Sequence, residues 1–249
     1  MREQSAIGKK TGGSEMIEIK TIEELEAERE RQLDAWIKAG KTDDEFYINL
    51  DGANLTEADF RRANLFGAYL REANLTKADL RGAKFWRATL YGADLIEANL
   101  TGAKLSGANL AYTKLEGAYL KGANLNFAKF WVANLTGADL SGADLYRADL
   151  TSANFSGADL TGACLFQVSL EHAKLSEANL NWADLTYSNL YGADLTGANL
   201  TKADLKWASL SKAKISDTII TQSQYDELSK LYSHEFMSGF IVKDMEVAE

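Results

Sequence analysis

The sequence predicts an all-β solenoid, a four-sided β-helix of about nine 20-residue coils with a short α-helical cap at each end, and three observations predict it. An apolar residue recurs at every fifth position from Leu50 to Ile220, a small residue usually stands two places before it, and glycine inside this block falls only two places after it. The 35 consecutive units carry Leu at the centre in 29 cases, with Phe60, Phe85, Phe130, Phe155, Ile215 and Ile220 in the others, so the beat never slips. A period of five fits neither the 3.6-residue helix nor the two-residue strand, so each unit must run extended for about three residues and then turn. Ala and the central residue, two apart, then project to one side while the residue between them projects to the other.

Residues 1–15 are polar, contain Gly12-Gly13 and read as a disordered segment. Residues 16–45 read as an N-terminal cap. There Thr21-Ile22-Glu23-Glu24 forms a capping box that opens a helix, Gly40 ends it, and Leu33, Trp36 and Ile37 make its apolar side. Residues 46–220 are the β-helix, in which small Ala lets the walls approach the axis and Leu fills the centre. Coils about 4.8 Å apart would stack into a rod about 42 Å long. Open strand edges at the two ends invite aggregation unless they are covered. After the last unit, Thr221-Gln222-Ser223-Gln224 starts a second helix, and Tyr225, Leu228, Tyr232 and Phe236 continue it at helical spacing to about Gly239, so residues 221–249 read as a C-terminal cap and tail.

Each corner begins at a central residue, and the slot two places later is the third residue of a β-turn. Glycine there, as at Gly52, Gly67 or Gly142, supplies the positive φ of a type II turn. Glu57, Arg62 and β-branched Val132 occupy the same slot, so a turn that keeps φ negative is expected at those corners and two turn types should coexist.

Units such as Ala53-Asn54-Leu55, Ala58-Asp59-Phe60, Ala138-Asp139-Leu140 and Ala198-Asn199-Leu200 resemble the pentapeptide-repeat family, A(D/N)LXX. The resemblance implies a right-handed quadrilateral β-helix. Leu33, Trp36, Gly40 and Phe46 are similar to the helical lead-in that closes the first coil in many members. It also implies that pairing through the C-terminal end is open to this chain, as a homodimer in place of a monomer. Some members mimic DNA and bind DNA gyrase, inhibiting it or protecting it from quinolones, and the gyrase-protecting ones tend to carry loops that interrupt the repeat. No such loop interrupts this one.

The net charge of −9 suggests an acidic binder, but residues 46–220 hold 17 basic and 18 acidic side chains, a net of −1. That lacks the phosphate-like field DNA mimicry should exploit, and no continuous basic stripe suits direct nucleic-acid binding. Along the rod the balance shifts, from 11 basic and 8 acidic over residues 46–130 to 6 and 10 over residues 131–220. Arg61, Arg62, Arg71, Arg81 and Arg87 cluster early, whereas Asp139, Asp144, Asp149 and Asp159 come later. Such an asymmetry is either a solvated mixed surface or a means of orienting a partner or another copy of the rod.

Chemistry is hard to find. His172 and His234 form no cluster for a metal or a nucleophile, and lone Cys164 sits between Asp144 and Asp184 of the adjacent coils, which argues against a reactive thiolate. The recurring Asp and Asn before each centre are read as acceptors for corner amides. No phosphate-binding glycine loop, signal peptide, disulfide framework or membrane-length apolar run is present. The expectation is a cytoplasmic, non-enzymatic protein without cofactors and away from membranes.

With 20-residue coils, side chains 20 apart share an edge. One edge carries Phe66, Trp86, Phe127, Tyr146, Phe166, Tyr187 and Trp207, and the next carries Tyr91, Tyr112, Trp131 and Tyr191; the other two hold only Trp182. The face between the aromatic edges is mostly uncharged, with Tyr69, Thr89, Asn109, Ser169 and Asn189 among its residues. Aromatic ladders either protect stacked turns or border a face for an unknown protein partner. The binding reading selects Phe66, Trp86, Tyr91, Trp131, Tyr146, Phe166, Tyr187 and Trp207.

Overall fold

Backbone hydrogen bonding explains the architecture most directly, and the structure, a computed structural model, describes it for residues 17–39 and 47–243. The unit Ala73–Lys77 shows the scheme. Ala73 N donates to Leu70 O at 3.2 Å and closes the preceding β-turn. Asn74 N donates down to Ala53 O at 2.9 Å, and Leu75 N donates up to Asp94 O at 2.7 Å. Thr76 N turns to the Asn74 side-chain oxygen at 3.0 Å, and Lys77 N donates up to Ile96 O at 2.9 Å. All five amides of the unit are satisfied, two of them within it or its own turn, so the remaining bonds hold the coils together.

The pairing is parallel and its offset is constant. Asn49 bridges Tyr69, Asn54 bridges Asn74, and the series runs to Asn199 with Ile219, always 20 residues apart. Four units therefore close one circuit. Inside it the central side chains from Leu50 to Leu200 are at most 1% exposed. Phe60, Phe85, Phe130 and Phe155 fall on four different columns, so no two large rings stack on each other in the core.

The two expected turn types do not coexist. Every corner slot from Gly52 to Asp217 has positive φ, at 14 glycines and at 20 other residues, including Glu57 at 59°, Arg62 at 61° and Val132 at 58°. The ladder causes this. The slot amide bonds the carbonyl 19 residues ahead, as from Glu57 to Thr76 at 2.9 Å and from Val132 to Thr151 at 3.2 Å. A negative-φ corner would turn that amide away from its acceptor. The left-handed conformation costs a non-glycine residue about 1–2 kcal/mol, and the stacked corners hold it in place.

Before the repeats, Ile17–Lys20 runs extended beneath the first coil, a feature the sequence reading did not anticipate. Asn54 N donates to Ile17 O at 2.7 Å and Asp59 N to Lys20 O at 2.8 Å. Helix α1, Ile22–Lys38, follows. Its capping box is present, with Thr21 N donating to Glu24 Oε2 and Glu24 N to Thr21 Oγ1, both at 3.2 Å. Leu25 is its buried anchor and Leu33 is half-buried. Gln32 presents its amide to the edge, donating to Asn49 O and accepting from Asn49 N, each at 2.7 Å. Residues 1–15, Gly40, Phe46 and the side chains of Trp36 and Ile37 lie outside the described residues.

The last repeat ends in β1 (Thr218–Thr221), and beyond it the expected single helix to Gly239 is replaced by α2 (Gln222–Leu228), α3 (His234–Met237) and β2 (Phe240–Lys243). The capping box is where the sequence places it, with Thr221 and Gln224 as its partners. The helix then stops because the chain returns to pair β2 in parallel on β1, Thr218 opposite Phe240. An unbroken helix from 222 to 239 would carry the chain about 27 Å away. Along the same end, Gln224 Nε2 donates to Leu200 O at 2.7 Å and Ala203 O at 2.9 Å, and Tyr232 Oη accepts from Leu210 N at 3.0 Å.

Corner glycines differ in the space around them. A Cβ at Gly67 (φ +64°) would overlap the Tyr47 ring, whereas one at Gly142 (φ +62°) meets nothing within 4 Å. Gly142→Ala should cost about 1–2 kcal/mol, the backbone strain alone, and Gly67→Ala measurably more. Urea denaturation of both variants checks the order.

Candidate interaction face

The aromatic residues of the two edges point outward because corner side chains, like those midway along a face such as Tyr69 and Tyr119, lie outside the coil. On the first edge the rings form a continuous ladder over the second half of the rod. Phe127 meets Tyr146 edge-on at 5.4 Å between centroids, Tyr146 stacks on Phe166 at 5.9 Å, Phe166 meets Tyr187 edge-on at 5.6 Å, and Tyr187 stacks on Trp207 at 6.3 Å. Spacings of this size give offset or edge-to-face pairs worth about 0.5–1.5 kcal/mol beyond their burial. Tyr146 and Phe166 are half-buried by their neighbours, while Trp207, at the end, is 76% exposed.

The first half of the edge is different. Phe66 packs on Tyr47 at 5.9 Å, a residue the sequence reading did not select, and exposed Trp86 makes no ring pair among the described residues. On the second edge Tyr91 pairs with Tyr112 at 5.2 Å, and Tyr191 is met edge-on by His172 at 5.6 Å. Exposed Trp131 stands apart, with the Lys129 ammonium 5.5 Å from its ring centre. The eight selected residues therefore border one face but form one ladder of four, two rings paired with unselected neighbours and two isolated rings, not one cluster.

Between the edges the face is polar and internally bonded. Thr151 Oγ1 donates to Asp149 Oδ1 at 2.7 Å and lies 3.0 Å from Ser169 Oγ. Tyr69 is 37% exposed beside Arg71. At the C-terminal end the first ladder opens into a groove of about 500 Å³ lined by Leu205, Trp207, Leu228 and Leu231, with Lys206 and Lys230 at its sides. Leu205 is half-buried there, although its column is otherwise closed. Nothing periodic marks Leu231, so the repeat pattern could not have found this groove.

The polar residues before the centres are committed to the backbone. Asp139 accepts from Ser141 N and Asp159 from Thr161 N, both at 2.9 Å. Cys164 is half-buried between Asp144 and Asp184. Burial pushes its thiol pKa up; an amide bond from Phe166 opposes this, and the two aspartates add to the rise. Its thiolate fraction is low, which removes the usual basis of thiol reactivity. Among the described residues no group of three or more His, Cys, Asp or Glu could hold a metal ion, and no helix is long and apolar enough to cross a membrane.

Comparison with known proteins places the repeats. A family model described as pentapeptide repeats matches in eight copies, over residues 48–82, 73–110, 103–131, 133–165, 163–201 and 188–223. Among solved structures, HetL, a pentapeptide repeat protein involved in heterocyst differentiation regulation from the cyanobacterium Nostoc sp. strain PCC 7120, is 37% identical, with 76% of this chain and 96% of HetL covered and a TM-score of 0.33. Trypsin-treated QnrB1, a plasmid-mediated fluoroquinolone resistance protein, is 18% identical, with 74% of this chain and 94% of QnrB1 covered and a TM-score of 0.51, a likeness of fold. Rfr23 from the cyanobacterium Cyanothece 51142 is 30% identical over 46% of this chain and 86% of its own, with a TM-score of 0.33. No curated protein matches.

Near the start of the rod, Arg61 bonds Asp59 twice, at 2.8 and 2.6 Å, and Arg81 repeats the arrangement on Asp79. The Arg61 side chain, helped by its backbone amide, holds the Asp59 carboxyl down at about 2. A depressed carboxylate contributes its share of stability above the ordinary range near ~3.9 and loses it as pH falls toward the folded value. For Asp59 that window runs from the ordinary range down to about 2. Arg61→Gln should return Asp59 toward the ordinary range, read by NMR titration of its carboxyl carbon. An unmoved Asp59 would show that the guanidinium does not set it.

Proposed function

The chain belongs to the pentapeptide-repeat family, with its right-handed quadrilateral β-helix, and from that premise we propose that it is a non-catalytic scaffold that presents a rigid, aromatic-bordered face to a protein partner. Members of the family are generally structural or binding proteins, so function must come from the surface that a given chain displays. The observation that carries this reading is the placement of large exposed rings on the two corners that border one mostly uncharged face. Trp and Tyr are enriched at protein interfaces, where a few such anchors supply most of the binding energy. In this reading Phe66, Trp86, Tyr91, Trp131, Tyr146, Phe166, Tyr187 and Trp207 make the contact. Tyr146 and Phe166 stiffen the border, while Trp86, Trp131 and Trp207 project from it.

The reading includes the organisation of the chain: a segment 1–15, an N-terminal cap 16–45, a β-helix 46–220 of about nine coils, and a C-terminal cap with tail 221–249. Gln32 at one end and Gln224 and Tyr232 at the other support the caps, because each gives an open edge a hydrogen-bond partner. A cytoplasmic location and a monomer or C-terminal-end dimer belong to the same proposal.

A second reading is binding of DNA gyrase in the manner of a DNA mimic. The fold likeness to the fluoroquinolone resistance protein QnrB1 favours it, while the net charge of −1 over residues 46–220 weighs against it.

Replacing Trp86, Trp131 and Trp207 together by Ala should leave the protein folded, at a cost of about 0.5–1.5 kcal/mol for the lost Tyr187–Trp207 stack, and reduce recovery of the native co-purifying protein at least about tenfold, as for loss of interface hot spots. Tyr119→Ala, on a different face, should retain it. Equal recovery by both folded variants removes the scaffold reading. A gyrase supercoiling assay tests the second: no inhibition and no quinolone protection at micromolar protein eliminates it.

A further inference from the structure

On the face that adjoins the proposed partner face across the Phe66–Trp207 edge, the central column of outward residues changes sign along the rod. Lys84 and Lys104 lie in its first half, Asn124 at its middle, and Asp144, Asp184 and Asp204 in its second half, joined by an unbroken series of 20-residue bridges. The lysines are exposed and the aspartates half-buried.

Most corner charges around this column are already engaged. Arg61 and Arg81 pair with Asp59 and Asp79, Lys206 pairs with Asp204, and the Arg147 guanidinium lies 5.2 Å from the Tyr146 ring centre. Asp144 and Asp184 instead accept hydrogen bonds from uncharged side chains, Asn126 and Thr186. Lys84 and Lys104 stack on each other between Asn64 and Asn124, with no carboxylate beside them in the column. Lysines at equivalent positions on the opposite face are answered internally: Lys114 and Lys214 pair with Asp94 and Asp194 of the coil below, both at 3.4 Å.

We propose that this face pairs with the same face of a second copy of the chain, the two rods lying side by side and antiparallel. Symmetry selects this occupant. A two-fold axis in the contact plane and perpendicular to the rods reverses direction along the rod but keeps each long border on its own side. The lysine half then meets the partner's aspartate half, and the aromatic border meets the aromatic border. An axis parallel to the rods would set like charges against each other and separate the aromatic borders. Within one rod, Lys84 and Asp184 stand five coils apart, about 24 Å, beyond the ~8 Å screening length of physiological salt, so pairing with a copy brings a contact that neither half finds at home. A face about 35 Å long and about 15 Å wide buries near the low end for specific interfaces, so the dimer is weak and salt-sensitive.

The test compares four samples by sedimentation velocity in about 50 mM and about 500 mM salt: the wild type, K84E/K104E, D144K/D184K, and an equimolar mixture of the two variants. Lys already occupies equivalent column positions, so the fold accommodates the second variant; should it fail to fold, D144N/D184N takes its place in the mixture. The wild type should self-associate in low salt with at least tenfold weakening in high salt, each variant alone should remain monomeric, and the mixture should recover a dimer. A monomeric wild type in low salt, variants that dimerise as the wild type does, or a mixture that stays monomeric each overturns the proposal. These substitutions lie off the face between the aromatic edges and change no ring, so recovery of the co-purifying protein by K84E/K104E tests the proposed function apart from dimerisation, whereas Trp86 and Trp207 stand on the edge that both faces share.

Discussion

The constraint on which the structure depends is that every backbone amide in a five-residue unit must find an acceptor, and only one circuit length allows it. Three of the five amides in Ala73–Lys77 leave the unit for the coils above and below. That works when the carbonyl 19 residues ahead or 21 behind lies one strand spacing away, as a 20-residue coil places it. The hydrophobic column follows from the same register, since side chains 20 apart then stack. Burial supplies most of the favourable free energy, but hydrogen bonding sets the period that makes burial continuous.

This constraint also separates what the sequence made legible from what it did not. The spacing of Leu50 to Ile220, the Ala columns and the 20-residue circuit are all periodic, and a periodic feature can be read without coordinates. Both capping boxes were equally legible, because Thr21 with Glu24 and Thr221 with Gln224 are local signals. The conformation at Glu57, Arg62 and Val132 was not legible, because the intrinsic preference of each residue for negative φ is overridden by the corners stacked above and below it. A corner in a stack is not free to choose its own turn. Ile17–Lys20 and Phe240–Lys243 escaped notice for a related reason: each is short, lies outside the repeat and gains its structure only from the edge it joins.

The candidate face was legible in composition but only partly in contact. Edges carrying Phe66, Trp86 and Trp207 could be assigned from residue numbers alone. Whether two rings touch depends on which corner position each occupies and on its rotamer. Hence Phe127 to Trp207 forms a ladder, Trp86 stands alone, and Phe66 turns to Tyr47. The C-terminal groove arises where Leu205 loses its covering coil, and aperiodic Leu231 completes it.

A repeating interior makes individuality a matter of the exceptions. The usual Asn or Asp before the centre has a backbone task, accepting the amide two residues later, as Asn74 does for Thr76. Lys cannot perform it, because an ammonium has no acceptor. Each Lys in that slot therefore gives up a local bond and leaves the following corner amide to water. Lys114 and Lys214 offset the loss with an ion pair to the coil below, and Lys129 lies over Trp131. At Lys84 and Lys104 the column offers only Asn64 and Asn124 as flanking neighbours. The chain departs there from the residue its own backbone prefers without an evident return inside the coil, and such a departure from local consistency directs attention to what lies outside it.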